Sequence, residues 1–213
     1  TTLYLGGTQV TDASLERLAD YPKLGLLQIT KTKVTEAGVK KLSAALPGCK
    51  IEWDGGVIEP TVSPDRRAAE WVLSIGGTIK IRENGLERPI GGVGDLPGGA
   101  FELSLVNLLG NLQATDAELA RFQNCKHVTS LILYGTPVTD AGLAHFKDCK
   151  NITTLNLSGS QVSDVGLAHF KDCKNLTHLA LEAAKVSDAG LAHFKDCKNV
   201  TVLYLGSPLV SDA

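Results

Sequence analysis

The chain has 213 residues, of which 43% are hydrophobic and 21% charged, and its formal net charge at pH 7 is −2. These values are ordinary for one or two globular domains. The near-neutral charge gives no reason to expect binding to nucleic acid or to a membrane, and no apolar run approaches the roughly 18–20 residues of a membrane span. Because Met is absent, we interpret the chain as a fragment or a processed form.

Residues 1–58 carry a 24-residue period. Leu3, Leu27 and Ile51 lie 24 apart, and each of the first two is followed by a helical pattern, TQVTDASLERLADYPK and then TKVTEAGVKKLSAALPG. The segment LPGCKIEWDGG resembles the last strand of an array, closed by Trp53. We therefore predict repeats over 1–58 that end in a terminal strand.

Residues 59–100 lack the repeat. SPDRRAAEWVLSIGG predicts a helix with Ser63 as its N-cap, Pro64 in its first turn and Gly76 at its end. TIKIRENGLERPI predicts a hairpin around Asn84-Gly85, and GGVGDLPGGA predicts a glycine-rich loop. We interpret this segment as an irregular insert or cap.

Two interpretations of the centre stay open. Ile79 lies 28 residues after Ile51 and 27 before Val106, which favours one continuous solenoid over 1–213 with an irregular centre. Alternatively, one array ends near residue 58, and a second begins with the helix and hairpin as its cap.

Residues 101–213 carry the clearest repeat, and self-similarity at this period indicates a solenoid. GLAHFKDCKN occurs at 142–151, 166–175 and 190–199. In each unit, alternating apolar residues such as Leu155 and Leu157 predict a strand, and a Ser/Thr-Asp pair predicts a helix start. We expect Asp116, Asp140, Asp164 and Asp188 to cap the first turns of their own helices.

The pattern LxxLxLxx[T/S]xV[T/S]DAGLxxF resembles the leucine-rich-repeat superfamily over residues 1–53 and 103–213. Within it, the units are similar to the cysteine-containing class found in F-box ubiquitin-ligase adaptors, and to repeats of planctomycete bacterial proteins, some attached to serine/threonine kinases. The resemblance implies an α/β leucine-rich-repeat solenoid, a horseshoe with a parallel concave sheet and short convex helices. One departure is that Thr136, Ser160 and Ala184 stand where the superfamily has Asn or Cys, while Asn111 keeps Asn.

No motif predicts catalysis. The glycine-rich stretch 91–99 lacks GxxxxGK[ST] and the third glycine of GxGxxG, and no GxSxG is present. The recurrent aspartates have identical surroundings, whereas acid–base catalysis needs two separated pKa values. We expect no enzyme activity and no cofactor.

Two further rows recur with the repeat. Cys125, Cys149, Cys173 and Cys197 fall at a core-facing position, so we predict free structural thiols and a reducing compartment, the cytoplasm. His145, His169 and His193 face outward, and we interpret them as solvated residues; a metal held between two rings is the alternative.

The strand side chains that alternate with the core predict a nearly uncharged concave face. We expect it to bind a protein partner through Tyr4, Gln28, Asn107, Ile132, Tyr134, Asn156, His178, Glu182 and Tyr204. The predicted function is a non-catalytic interaction scaffold; the alternative is the recognition or regulatory arm of a larger enzyme, such as a serine/threonine kinase or a ubiquitin-ligase-like system. Because the chain begins and ends within repeats, end-to-end self-association is a further expectation.

Overall fold

The computed structural model describes residues 2–21, 24–60, 62–206 and 209–211. The chain forms two compact units, the first made of residues 1–63 with 95–101 and the second of residues 64–94 with 102–213. The first unit contains β1 (Thr2–Tyr4), α1 (Asp12–Leu18), β2 (Leu26–Gln28), α2 (Glu36–Ala45), β3 (Lys50–Trp53) and β4 (Gly56–Ile58).

The first unit is a short parallel stack. β1, β2 and β3 pair in parallel with partners 24 residues apart, as in Leu3 with Leu27 and Leu27 with Ile51. β4 then folds back against β3 in the antiparallel direction, with Trp53 opposite Gly56. The parallel ladder of this unit therefore ends at β3, where the sequence predicts a terminal strand.

The second unit begins with a helix and a hairpin and continues as repeated coils, each made of a strand and a short helix. Its elements are α3 (Pro64–Ser74), β5 (Thr78–Glu83), β6 (Leu86–Ile90), β7 (Glu102–Asn107), α4 (Asp116–Leu119), β8 (Ser130–Ile132), α5 (Asp140–Leu143), β9 (Thr154–Asn156), α6 (Asp164–Leu167), β10 (His178–Ala180), α7 (Asp188–Leu191) and β11 (Val202–Tyr204). A single 3₁₀ turn extends each of the four short helices, at Ala120–Phe122, Ala144–Phe146, Ala168–Phe170 and Ala192–Phe194.

The sheet of the second unit has the order β11-β10-β9-β8-β7-β5-β6. From β7 to β11 all pairs are parallel; Leu131, Leu155, Leu179 and Leu203 are successive partners at steps of 24. The step from Val106 to Leu131 is 25, which accommodates the extra residue of the first coil. The repeat period thus sets the register of the parallel sheet.

The core of the second unit is built by stacking equivalent residues. Phe122, Phe146 and Phe170 are fully buried, one from each coil. The rings of Phe122 and Phe146 lie 4.9 Å apart between centroids, and Trp71 of α3 meets Phe122 edge-on at 5.8 Å. One coil cannot enclose such a ring, because each needs the coils on both sides to remove it from water.

The helix and hairpin predicted for the centre are present, with Asn84 and Gly85 both at positive φ, as a tight two-residue turn requires. The inference from spacing was wrong. β5 pairs with β7 antiparallel, so Ile79 does lie opposite Val106 but does not begin a repeat coil. The spacing of apolar residues in the sequence indicates which residues are paired in register, but it does not indicate whether the two strands are parallel or antiparallel.

The described strands form two sheets, β1–β4 and β5–β11, so they do not make one unbroken parallel ladder. The hairpin belongs to the second sheet, because β5 is hydrogen-bonded directly to β7. Which of the two interpretations of the centre holds stays a prediction. The division of the chain at residues 58 and 100 itself stays a prediction.

Candidate functional site

The strand face of the second unit is formed by side chains that alternate with the core along β7–β11. Asn107, Ile132, Asn156, Ala180 and Tyr204 form one row across the sheet, each the register partner of the next. The flanking strand residues such as Leu131 and Leu155 are fully buried. We call the outward set the strand face: Leu105, Asn107, Leu109, Ser130, Ile132, Tyr134, Thr154, Asn156, His178, Ala180, Glu182, Val202 and Tyr204.

Large apolar and aromatic side chains are exposed on the strand face. Tyr134 is 46% exposed and Tyr204 55%. The Leu108 N–H donates to the Ile132 carbonyl and the Gly110 N–H to the Tyr134 carbonyl, which sets Leu109 beside Tyr134 on the same side of the sheet. Leu109 is exposed as well. Sequence reasoning missed Leu109, although its place two residues after Asn107 continues the alternation.

The two predicted asparagines help to shape the turn that follows each strand. Asn107 Oδ1 accepts the N–H of Leu109, and Asn156 Oδ1 accepts the N–H of Ser158, both at 3.1 Å. Their carbonyl oxygens are therefore engaged by the backbone. The Nδ2 groups are the atoms of these side chains that remain to contact a partner.

His178 and Glu182 are exposed, and they are the only imidazole and the only carboxylate on the strand face as defined above. His178 Nδ1 lies 2.9 Å from Thr177 Oγ1, and the Glu182 N–H donates to Ser158 Oγ at 3.0 Å. They belong to the same coil, and the row that contains Ala180 lies between them.

Tyr4 and Gln28 belong to the sheet of the first unit and are not part of the strand face. Tyr4 is exposed, and Gln28 Nε2 donates to Glu52 Oε2 at 3.2 Å. Glu52 also pairs with Lys50 Nζ at 3.2 Å. Sequence reasoning missed Glu52, which lies in register with Gln28 and makes this face more charged than predicted.

In three coils the side chain at the position where the superfamily has Asn or Cys donates a hydrogen bond to a backbone carbonyl. Thr136 Oγ1 and Ser160 Oγ donate to the carbonyls of Leu133 and Leu157, at 2.8 and 2.6 Å. Asn111 Nδ2 reaches the Ile75 carbonyl at the end of α3, at 2.7 Å. Ala184 has no polar side chain, so at this position only its backbone N–H donates to the turn, to the Leu181 carbonyl at 3.2 Å.

The recurrent aspartates do not cap their own helices, which corrects the sequence prediction. Ser163 Oγ accepts the N–H of Val165 and is the N-cap of α6. Asp140 binds this N-cap from the preceding coil: Oδ1 accepts the Ser163 N–H at 2.8 Å, and Oδ2 accepts its hydroxyl at 2.6 Å. We call this pair of bonds the carboxylate bridge; it recurs from Asp12, Asp116, Asp164 and Asp188 to Thr35, Thr139, Ser187 and Ser211.

The cysteines form a buried row. Cys149 Sγ donates to the Cys125 carbonyl, and Cys173 Sγ to the Cys149 carbonyl. Burial raises the pKa of Cys149 to about 12 and that of Cys173 to about 11. Within the ranges that the structure describes, no group of three or more His, Cys, Asp or Glu is arranged to hold a metal ion.

Residues 106–211 match the family model described as BspA type leucine-rich repeat region, in six copies. The chain belongs to the leucine-rich-repeat superfamily. No curated protein matches the sequence. Among solved structures, an internalin from Listeria monocytogenes aligns at 14% identity and a TM-score of 0.38, over 99% of this chain and 43% of its own. The chain thus spans less than half the length of that internalin.

Leucine-rich repeats typically act as non-catalytic interaction modules, which supports an interaction scaffold as the general function of this chain. In the parts of the chain that the structure describes, no helix is both long and apolar enough to cross a membrane.

Proposed function

We propose that this leucine-rich-repeat protein is a non-catalytic scaffold that binds a protein partner on its strand face. One observation carries the proposal: Tyr134, Tyr204 and Ile132 stand on one face of a sheet that is almost free of charge, and Leu109 lies beside Tyr134. Tyrosines and aliphatic side chains of this kind supply most of the binding energy in protein interfaces.

The partner that suits this face presents an apolar surface with few charges. The Tyr134 carbonyl accepts the Gly110 N–H and the Tyr204 carbonyl accepts the Leu181 N–H, so the backbone that carries both rings is ordered before a partner covers them and little conformational entropy is lost. Hydroxyl and amide groups at Ser130, Thr154 and Asn156 supply a polar surround. Their hydrogen bonds orient the partner, while the aromatic rings provide the affinity.

The absence of a catalytic role belongs to the same proposal. The most regular array of carboxylates, such as Asp140 and Asp164, is engaged by the N-caps of the following coils. We also propose a reducing compartment such as the cytoplasm. All five cysteines are buried and unpaired, and they pack as small apolar residues.

Site-specific photocrosslinking in the source cells tests the proposal. A photoreactive phenylalanine at position 134 is expected to capture a protein, whereas the same group at position 165 is not. Val165 is the matched control because it is exposed but lies on α6, away from the strand face. The captured protein is then purified, and its affinity for the unmodified chain is measured by calorimetry.

Ile132→Ala, Tyr134→Ala and Tyr204→Ala, combined in one chain, should weaken that affinity at least about tenfold, a loss of about 1.4 kcal/mol. A second chain with Tyr21→Ala, Leu86→Ala and Val165→Ala removes a similar exposed apolar area elsewhere and should bind normally. Circular dichroism checks that both chains are folded. Equal affinity of the two variants would show that the strand face is not the binding surface.

A further inference from the structure

A second surface of the second unit lies where each helical segment ends and the chain returns to the next strand. The recurring segment Lys-Asp-Cys-Lys exposes two lysines in each coil, and the first coil contributes one. We call this surface the basic edge; its exposed lysines are Lys126, Lys147, Lys150, Lys171, Lys174, Lys195 and Lys198.

The basic edge carries an excess of positive charge. Its seven lysines stand beside three carboxylates, Asp148, Asp172 and Asp196, so four positive charges remain, although the whole chain has a formal charge of −2. The charge is therefore concentrated on one edge of the second unit. Several positive charges within a Debye length of each other, about 8–10 Å, create a potential that attracts anions.

Two of the carboxylates are already paired between neighbouring coils. Lys150 Nζ lies 3.1 Å from Asp172 Oδ2, and Lys174 Nζ lies 3.4 Å from Asp196 Oδ2. In consequence the surrounding lysines lower the pKa of Asp172 below its usual value, with the hydrogen bond from Lys150 as the main cause. These pairs leave the other lysines of the edge uncompensated.

Lys147, Lys171 and Lys195 form an uncompensated row. They occupy the same position in three consecutive coils, and within the described part of the chain no carboxylate oxygen lies within 4 Å of their Nζ atoms. The strands of these coils pair in register, which sets the coil spacing at about 5 Å. Like charges at this spacing repel each other. Binding of an anionic ligand that neutralises the row is therefore favourable, because it removes this repulsion.

We propose that the basic edge binds an acidic segment of a polypeptide, one that runs across the coils and places its carboxylates along the row of Lys147, Lys171 and Lys195. Flexible ammonium groups on long side chains suit carboxylates whose spacing is only approximately matched. The site lies on a different surface from the strand face and does not depend on it. Both surfaces can contact one partner or two.

The side chains between the lysines favour a peptide over a nucleic acid. Each full coil places an aspartate in the edge, and a continuous phosphate backbone cannot avoid these carboxylates as an irregular peptide can. Binding of single-stranded nucleic acid also relies on exposed aromatic side chains that stack with bases. The aromatic residues of these coils nearest the edge, Phe146, Phe170 and Phe194, are buried.

Fluorescence anisotropy with a labelled peptide of about 12 glutamates, in about 50 mM salt, tests the proposal. The unmodified chain is expected to bind the peptide, and added salt should weaken binding because the contacts are exposed ion pairs. Lys147→Gln, Lys171→Gln and Lys195→Gln in one chain should lower the affinity at least about tenfold. Absence of binding by the unmodified chain would overturn the proposal.

The control chain carries Lys33→Gln, Lys40→Gln and Lys185→Gln, which remove the same charge from exposed positions outside the edge. It should bind with an affinity within about twofold of that of the unmodified chain. An equal loss of affinity in both variants would mean that only the net charge of the chain matters, and would overturn the proposal.

Replacement of the three edge lysines by Arg should keep the affinity for the peptide. Tighter binding of an oligothymidylate of the same length would overturn the choice of a peptide. The triple alanine variant of the strand face should bind the peptide normally, which separates the two surfaces.

Discussion

A single backbone position after each strand requires a left-handed conformation. Gly110, Gly135 and Gly159 have φ of 66°, 65° and 68° there. In the next coil the same position is occupied by Ala183, with φ of 53°. The Cβ of Ala183 makes this conformation cost about 1 kcal/mol relative to glycine.

Ala183→Gly should therefore raise the free energy of unfolding by up to about 1 kcal/mol, because it relieves this strain, less the entropy that glycine adds to the unfolded chain. Gly159→Ala, the matched reverse change, should lower it by about 1 kcal/mol. Urea unfolding followed by circular dichroism measures both. A destabilised Ala183→Gly chain would contradict the assignment of strain to this position.

A row of hydroxyls also links the coils. Thr129, Thr153 and Thr177 donate through Oγ1 to the carbonyl of the equivalent residue in the preceding coil, at 2.9–3.1 Å. Ser104 occupies this position in the first coil. The strand beside it, β5, is antiparallel and offers no such carbonyl, so Ser104 Oγ is buried and, within the described residues, has no hydrogen-bond partner.

Ser104→Ala should be neutral or should raise the free energy of unfolding by up to about 1 kcal/mol, because it removes an unsatisfied buried hydroxyl. Thr153→Ser, which keeps the hydroxyl, and Thr153→Ala, which loses it, differ by one hydrogen bond of about 1 kcal/mol. Thermal unfolding of the three variants gives the comparison. A loss of about 1 kcal/mol or more in Ser104→Ala would show that Ser104 Oγ is satisfied.

Between elements, the carboxylate bridge dictates the residue that faces it. A Cβ placed on Gly166 would overlap Asp140 Oδ1, and the same holds for Gly142 with Asp116 and Gly190 with Asp164. The Asp carboxylate of one coil packs directly against the glycine of the next, in a contact that we call the Asp–Gly joint. This contact leaves no room for a Cβ, which explains why glycine occurs inside these short helices despite its low helix propensity.

Gly166→Ala should lower the free energy of unfolding by about 1–3 kcal/mol, since the carboxylate must move and weaken its bonds to Ser163. In a chain that already carries Asp140→Ser, the same change should cost less, because the obstructing carboxylate is gone. Urea unfolding of the double-mutant cycle measures this coupling. Equal costs in the two backgrounds would contradict the proposed joint.

The carboxylate bridge from Asp12 to Thr35 in the first unit makes the free energy of unfolding depend on pH. Hydrogen bonds from the hydroxyl and N–H of Thr35 lower the pKa of Asp12 below its usual 3.8. A carboxyl group whose pKa is lowered in the folded state contributes stability above its unfolded pKa, and that stability is lost as pH falls through the folded value. Asp12→Asn should therefore narrow the difference in stability between pH 7 and pH 3. An unchanged difference would show that Asp12 contributes nothing; Asp20→Asn serves as the control.

Elements with local signals were predictable from the sequence. Pro64 at the start of α3 and Asn84-Gly85 in the hairpin restrict the backbone conformation at their own positions. These local sequence patterns were therefore sufficient to predict the helix start and the turn. The partner of Asp140 was not predictable, because Ser163 is 23 residues away and a helix-capping pattern describes only the nearest turn. The direction of β5 relative to β7 was missed for the same reason.

On the scale of the whole molecule, the reactivity of the buried thiols measures how often each unit unfolds enough to expose its core. All five cysteines are buried, and Cys197 is the most accessible at 7%. Burial also raises the pKa values of Cys149 and Cys173 to about 12 and about 11, so almost no thiolate is present near neutral pH.

We expect a thiol reagent at pH 8 to label Cys149 and Cys173 at least about 100-fold more slowly than a free cysteine, because the thiolate fraction falls with the raised pKa. Cys197 should react first, and all five should react rapidly in denaturant. Mass spectrometry of digested samples assigns the rates. Fast labelling of Cys173 in the native chain would contradict the buried thiol row.

The parallel packing of the coils followed from the period, because apolar residues that return every 24 positions must share a core. The superfamily came from the resemblance of the pattern LxxLxLxx[T/S]xV[T/S]DAGLxxF to known repeats. The sequence left open whether the repeats are interrupted in the centre, since β4 and β5 continue an apolar pattern while changing strand direction. The choice of Tyr134 and Tyr204 as contact residues came from alternation alone and stays a prediction.

The carboxylate bridge also governs how such an array changes length during evolution. Each of the three coils that contain GLAHFKDCKN offers an aspartate on one side and accepts one on the other at the same offset, as Asp140 with Ser163 and Asp164 with Ser187 illustrate. An in-frame duplication or excision of one 24-codon segment, by unequal recombination, rejoins surfaces that already complement each other. Gene segments of this kind are interchangeable cassettes, and the near-identity of the GLAHFKDCKN copies is the trace expected of recent duplication.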